Sequence, residues 1–261
     1  MSIRVLGCSG AVAAGCHTTS FLLDGCTLID AGTGVGELSL DELARVDDVV
    51  LSHSHLDHIV GIPLMADAAL RRRIAAGKGP MRVHALPQTL DALRKHLFNG
   101  IIWPDFTQLP SPAAPAISLH PLNIGDRLEL GGRLIEVLDA RHTVPACGYA
   151  VQHSGGAQAP WWVYTGDTGP NPQLWQRLQQ LKVSHLVIET AFSNDEAELA
   201  HIAQHHCPHS LLAELAQFHQ PQASIWLTHI KPGELRAVMA GLQNPPLPLQ
   251  PLLGGQRFQL D

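Results

Sequence analysis

Residues 53–58 read His53-Ser54-His55-Leu56-Asp57-His58, three imidazoles and a carboxylate within six positions. Imidazole nitrogen and carboxylate oxygen together suit zinc, iron or manganese. His53 and His55 are two apart, so an extended backbone aims both rings to one side. Asp57 and His58 follow where the chain must turn out of that strand, so they can face a neighbouring position. One short segment can therefore ligate two adjacent ions. The apolar run Val49-Val50-Leu51-Ser52 precedes it and Ile59-Val60-Gly61-Ile62-Pro63 follows. That setting is the exit of a buried strand rather than a His-rich surface loop.

Other elements must hold such a segment. Residues 3–7 alternate as a strand, and residues 20–23 and 26–30 form two more, joined at the hairpin signal Asp24-Gly25. Asp30-Ala31-Gly32-Thr33-Gly34-Val35-Gly36 offers glycines after a strand, but no Lys-Ser/Thr closes it as a phosphate loop. A tight strand-to-helix turn is the better account. Helical patterns cover residues 40–45, 63–76, 87–98, 172–181, 195–204, 210–218 and 234–242. Strand patterns cover 81–85, 117–121, 127–130, 134–138, 148–153, 161–165, 183–188, 223–228 and 257–260. Residues 63–115 read as a helical insertion after the motif, ending in a proline-rich loop. It is a candidate lid or oligomer contact, which makes a homodimer one expected assembly. No repeat or linker is visible, so residues 1–261 are expected to form a single domain.

Composition narrows the function. The 261 residues are 45% hydrophobic, with 17 Lys and Arg and a net charge of −6. Arg71-Arg72-Arg73 is the single basic cluster and reads as a solvated helix face. A nucleic-acid partner is disfavoured. No apolar run approaches the roughly 18 residues of a membrane span, and the start of the chain lacks a signal-peptide pattern. Cys8, Cys16, Cys26, Cys147 and Cys207 show no paired spacing. A reducing, cytoplasmic setting is expected. Only Cys207, among histidines, invites a ligand reading, and His and Asp candidates elsewhere suffice.

A regularity links distant positions. His53, Asp167, Glu189 and His229 each sit just past an apolar run of strand type, and His142 lies in a loop after one. Strand ends at one edge of layered sheets are where sites assemble. His17 could enter from the first hairpin. His84, His96, His120, His153, His185, His201 and His219 lack partners at ligand spacing and read as structural.

His53-x-His55-x-Asp57-His58, His142, Asp167 in Gly-Asp-Thr, and His229 resemble the five motifs of the metallo-β-lactamase superfamily. The resemblance implies an α/β fold, a four-layer αββα sandwich with the site at one sheet edge. It assigns His53, His55 and His142 to one metal, Asp57, His58 and His229 to a second, and Asp167 to a bridge. Asp57 and Asp167 would thus serve catalysis as ligands of two divalent ions, zinc first, with manganese or iron as alternatives. The bridging Asp departs from the β-lactamases themselves. His55 departs from the diiron oxygen-reductase branch, which carries Glu there.

A narrower resemblance is carried by Leu28-Ile29-Asp30-Ala31-Gly32-Thr33-Gly34, His55 to Gly61, Phe98-Asn99-Gly100-Ile101-Ile102-Trp103-Pro104, Glu189-Thr190-Ala191-Phe192 and Thr228-His229-Ile230-Lys231-Pro232. These look like the class II 3′,5′-cyclic-nucleotide phosphodiesterases. The run Pro63 to Ala68 fits that signature only loosely, and His205-His206-Cys207-Pro208-His209 stands where the family shows Gly-His-Leu. His206 matches best by its distance to Leu211-Leu212. The implied reaction opens a cyclic nucleotide to the 5′-monophosphate. Two metals about 3.5–4 Å apart share a water and lower its pKa to about 7, giving hydroxide to attack phosphorus. His206, with Glu189, would protonate the 3′ oxygen. Glu189 could instead orient a ligating His. Asn99 and Trp103 would grip the nucleotide, with helix capping and core packing as their structural alternative. Two other readings stand beside this one. A ribonuclease Z-like tRNA-processing enzyme would need a basic arm that is not evident, and a dimetal redox or metal-binding protein is disfavoured by His55.

Overall fold

Short runs of Val, Ile and Leu bounded by turn residues become strands, and the structure, a computed structural model, describes residues 2–243, 245 and 247–261. The first half of the chain forms β1 (Ser2–Gly7), β2 (Ser20–Leu23), β3 (Thr27–Ile29), β4 (Asp48–Val50) and β5 (Met81–Ala85). Helices α1 (Leu40–Arg45), α2 (Leu56–Ile59), α3 (Gly61–Ala75) and α4 (Pro87–Ala92) accompany them. The short β6 (Pro110–Ser111) and β7 (Ala114–Pro115) pair with each other, and β8 (Ile117–Pro121) follows. The second half forms β9 (Arg127–Leu130), β10 (Arg133–Ala140), β11 (Ala146–Gln152), β12 (Trp161–Tyr164) and β13 (Val183–Glu189). It continues with β14 (Ser224–Thr228), β15 (Leu249–Pro251) and β16 (Arg257–Gln259). Helices α5 (Pro172–Leu178), α6 (Ala197–Ile202), α7 (Pro208–Leu215) and α8 (Leu235–Gly241) belong to this half.

Two seven-stranded sheets result, ordered β16-β1-β2-β3-β4-β5-β8 and β15-β14-β13-β12-β11-β10-β9. Each is antiparallel at one end and parallel at the other, with the change at β3 and at β12. The parallel strands are covered on both faces, which is why Val49-Val50-Leu51 and Leu186-Val187-Ile188 are apolar without alternation. Three apolar layers account for the stacking. Ile62, Met65 and Leu90 of α3 and α4 cover one sheet. Ile29, Val50, Tyr149, Trp162 and Val187 fill the space between sheets. Leu174, Trp175, Leu211 and Val238 cover the other. The order is helices, sheet, sheet, helices: the expected αββα sandwich. Among the described residues no helix is long and apolar enough to cross a membrane.

The β2–β3 hairpin turns at Asp24 (φ 46°) and Gly25 (φ 79°), the left-handed pair that a two-residue connection demands. Two sequence expectations shift. The stretch 63–115 is not a separate helical insertion, because its expected strand at 81–85 is β5, which lies in the sheet between β4 and β8. Val83 and Ala85 of that strand are buried under the helical layer. Arg73 is not on a solvated face. It is buried and donates to Ala44 O, Val46 O and Asp47, tying α3 to the entry of β4.

Candidate metal centre

Six strand exits deliver side chains to one edge. Asp30 follows β3, His53 follows β4, His142 follows β10, Asp167 follows β12, Glu189 ends β13 and His229 follows β14. Asp30 (φ 56°) and His229 (φ 63°) both take the left-handed backbone that non-glycine residues rarely adopt. Such outliers persist where the surroundings over-determine them. At His229 the cause is visible: its N–H bonds Cys8 O at 2.8 Å. Gly10 packs so close that a Cβ there would fall 2.4 Å from His229 O. Gly32, after β3, has a similar reason. A Cβ on Gly32 would lie 2.2 Å from Asp57 O, so only glycine lets that turn pack against the His-rich loop.

The convergence centres on Asp167. Its Oδ2 lies 3.2 Å from His229 Nε2, 3.3 Å from His58 Nε2 and 3.8 Å from His53 Nε2. Asp57 Oδ2 is 3.4 Å from His58 Nε2 and 3.8 Å from His229 Nε2. On the other side His55 Nδ1 and His142 Nε2 are 3.1 Å apart. The residues form two adjoining groups, His53/His55/His142 and Asp57/His58/Asp167/His229, each with its ligand atoms within 4.8 Å of one another. An overlapping third group is His142/Asp167/His205.

The rings are held from behind. Asp30 Oδ2 meets His58 Nδ1 at 2.8 Å, and Asp30 also accepts from Ser52 N, Ser52 Oγ and Tyr164 OH. Ser52 Oγ contacts His53 Nδ1 at 3.0 Å, and Gln204 O contacts His142 Nδ1 at 3.2 Å. Such partners fix the tautomer and raise the basicity of the opposite nitrogen. Asp30 was not singled out from the sequence, although it obeys the same strand-exit rule as His53.

Do these residues fit a metal? His53 Nε2, His58 Nε2 and Asp167 Oδ1 are fully buried with no hydrogen-bond partner. Buried polar atoms without partners are rare and costly. Three of them pointing into one cluster of neutral nitrogen and carboxylate oxygen fit a bound divalent cation. Titration agrees. Burial drives His53 well below its usual range, with the His58, His142 and His55 rings adding to the effect. Burial opposes ionisation of Asp167, yet His229, His58 and His53 hold its carboxyl well below the usual range. Burial also opposes charge on His58, but the Asp167 and Asp30 carboxylates lift it well above its usual range. A cation held between these groups would take the place of that proton.

The leaving-group candidates separate. His205 Nδ1 lies 2.7 Å from Glu189 Oε1, and its ring stacks on His229 with centroids 5.3 Å apart. Burial lowers its basicity, but Glu189 outweighs this and raises it to about 9. His206, the better sequence match of the two, is buried, and its Nδ1 meets Ser210 Oγ of α7 at 3.1 Å; it is in none of the ligand groups. Glu189 also accepts from Thr168 N, Ala191 N and His206 N, so it fixes the loop as well as His205.

Three further candidates are not in the cluster. His17 Nε2 pairs with Glu37 at 3.1 Å, partly exposed. Asn99 Oδ1 accepts from Ile101 N and Ile102 N and its Nδ2 donates to Lys95 O, the work of a turn cap. Trp103 packs edge-on to Phe106 beneath the outer helices, its Nε1 buried without an acceptor. Cys207 is buried and caps the start of α7 rather than joining a ligand group.

Comparison with known proteins agrees with this geometry. A family model described as the beta-lactamase superfamily domain matches residues 27–230. A Yersinia pestis protein named "Probable 3',5'-cyclic-nucleotide phosphodiesterase" is 27% identical over 212 residues, covering 72% of this chain and 57% of that protein. A Bradyrhizobium protein named "Ribonuclease Z" is 34% identical over 118 residues, covering 44% of this chain and 36% of that one. The chain therefore spans little more than half of one relative and about a third of the other. The crystal structure of unliganded yeast PDE1 superposes with a TM-score of 0.81 at 17% identity, covering 99% of each chain, a likeness of fold.

Proposed function

The chain belongs to the metallo-β-lactamase superfamily, and we propose that it is a dinuclear metal-dependent phosphodiesterase opening 3′,5′-cyclic nucleotides to 5′-monophosphates. The observation that carries this reading is the convergence on Asp167 Oδ2 of rings from both ligand groups. His53, His55 and His142 would hold one divalent cation, and Asp57, His58 and His229 the second, with Asp167 between. Zinc suits this set best. Two such ions supply a hydroxide at neutral pH and neutralise the phosphoryl oxygens.

The chain's own groups do the rest. Asp30 and Ser52 hold the rings of His58 and His53 in one tautomer, so the donor atoms need no reorganisation when substrate arrives. His205, hydrogen-bonded through Nδ1 to Glu189, is placed to give a proton to the leaving 3′ oxygen. His206 and Asn99 are left out of this assignment, because their side chains are hydrogen-bonded to neighbouring residues of the chain; Trp103 is left out because its ring packs against Phe106. The Yersinia relative's name supports the cyclic-nucleotide class.

A second reading, a ribonuclease Z-like enzyme, is favoured by the Bradyrhizobium relative's name. The net charge of −6 counts against it, because RNA phosphates call for Lys and Arg. One assay separates the two. Metal-replete protein is expected to convert cyclic AMP or cyclic GMP to the 5′-monophosphate and to stop when chelated. Protein that ignores both nucleotides but trims precursor tRNA would establish the second reading instead.

A further inference from the structure

Lys231 lies two residues beyond His229 in the loop after β14. Its Nζ sits 3.7 Å from the centroid of the Phe192 ring. Phe192 is buried, and its ring meets His205 edge-on with centroids 5.6 Å apart. The ammonium is therefore one aromatic ring away from the candidate proton donor, near enough for its charge to act on His205. Among the described residues, Lys231 forms no ion pair with a carboxylate. It is partly exposed and borders a cavity of about 340 Å³ together with Ser9, His17 and Ile230.

Each of these facts would be ordinary alone. A lysine normally reaches a carboxylate or open water, and its stem loses rotamer entropy when fixed. Here the stem is fixed by an aromatic face, which attracts a cation without neutralising it. The loop after β14 is also anchored: Ser9 Oγ donates to Ile230 O, and Ser9 pairs with Ile230 as an isolated bridge. The result is a partly exposed cation, without a carboxylate ion pair among the described residues, held over Phe192 two residues beyond His229. That arrangement fits an anion that arrives from solvent.

We propose that Lys231 is a substrate-positioning residue, its ammonium held by Phe192 at the rim of the metal centre to pair with a non-bridging oxygen of the bound phosphate ester. This inference rests on the phosphodiesterase reading above. It adds a contact from the loop after β14, outside both ligand groups.

The test uses the metal-replete protein, Lys231→Met, Lys231→Arg and Phe192→Leu. Binding of inorganic phosphate and 5′-AMP is measured by calorimetry, metal content by elemental analysis, and kinetics on cyclic AMP and on bis(4-nitrophenyl) phosphate. A lost charge-assisted contact is worth about a ten-fold or greater loss of affinity. Lys231→Met should weaken phosphate binding and raise KM by that factor, with kcat and metal content close to the parent's. Lys231→Arg should recover most of the loss, and Phe192→Leu should show part of it.

Unchanged phosphate affinity in Lys231→Met would overturn the proposal. So would a loss that falls on metal content, or a parent protein that binds neither anion. If the parent cleaves the nitrophenyl diester but no cyclic nucleotide, the substrate assignment fails. The Lys231 comparison is then read on that diester.

Discussion

Two histidine–carboxylate clusters among the described residues differ in how their buried atoms are partnered. In the first, Asp30 and Ser52 pin His58 and His53 from behind, while His53 Nε2, His58 Nε2 and Asp167 Oδ1 face inward without partners. In the second, His84 Nε2 meets Asp48 Oδ1 at 2.9 Å, Arg82 closes on the same carboxylate, and His120 Nε2 meets Ser118 Oγ at 2.9 Å. The two rings lie 5.0 Å apart across β5 and β8. Both clusters place imidazole beside carboxylate on neighbouring strands. In the second, the Nε2 of each ring has a partner within the protein, whereas the first leaves buried Nε2 and carboxylate atoms without a hydrogen bond. A histidine–carboxylate pair is therefore no sign of a site until the other nitrogen lacks a partner.

Substitutions test that contrast. The largest effect is expected for Asp167→Ala, which removes the oxygen shared by three rings. Phosphodiesterase activity should fall by about a thousand-fold or more, with metal lost on elemental analysis. His84→Ala should leave activity within a factor of about two and instead cost about 1–3 kcal/mol in denaturant unfolding. If His84→Ala removed activity at intact stability, the distinction would collapse.

Next is the pair His205 and His206. Losing a positioned proton donor costs roughly 10²–10⁴ in rate, so His205→Ala should lower kcat on cyclic AMP by about that range. His206→Ala should act on the melting temperature instead. A larger kcat loss in His206→Ala would return the proton to the residue first read from the sequence.

Asp30→Ala should weaken metal binding by about 10- to 100-fold, measured by chelator competition, since it removes the partner of His58 Nδ1. A metal affinity equal to the parent's would make Asp30 purely structural.

A smaller effect is expected from acid at the completed cluster. Burial raises the Asp48 carboxyl, but bonds from His84 and Arg82 more than offset this and leave it below its ordinary 3.8. A lowered carboxyl adds stability that is fully present above about pH 4 and is lost as pH falls through the lowered value. Unfolding of Asp48→Asn should therefore vary less with pH below about 4 than unfolding of the parent.

Smallest of all, Asn99→Ala should cost about 1 kcal/mol of stability through its turn-capping bonds, without altering KM. A KM for cyclic AMP raised several-fold would bring that turn into contact with substrate.

Much of the site was legible because it is written locally. His53 to His58 are contiguous, and Asp167, Glu189 and His229 each end an apolar run that any parallel strand produces. Periodicity placed most of the strands and helices, and the resemblance of the motifs supplied the expectation of two covered sheets. The same reasoning misplaced Arg73 and read residues 63–115 as an insertion even though it found the strand at 81–85, since neither burial of a guanidinium nor the place of β5 within the sheet has a local signal.

The sequence by itself determined which strand exits carry imidazole and carboxylate, because side-chain type and strand length are local properties. Tertiary structure alone decided which atoms lack partners. Between the adjacent His205 and His206, the packing of α7 turns one ring to Ser210 and leaves the other to Glu189. Between His58 and His84, both beside a carboxylate, the choice lies in what stands on the far side of the ring. For His58 that far side is Asp167, delivered by a strand of the other sheet. Partner saturation in a buried space depends on every neighbour at once, and no spacing along the chain encodes it.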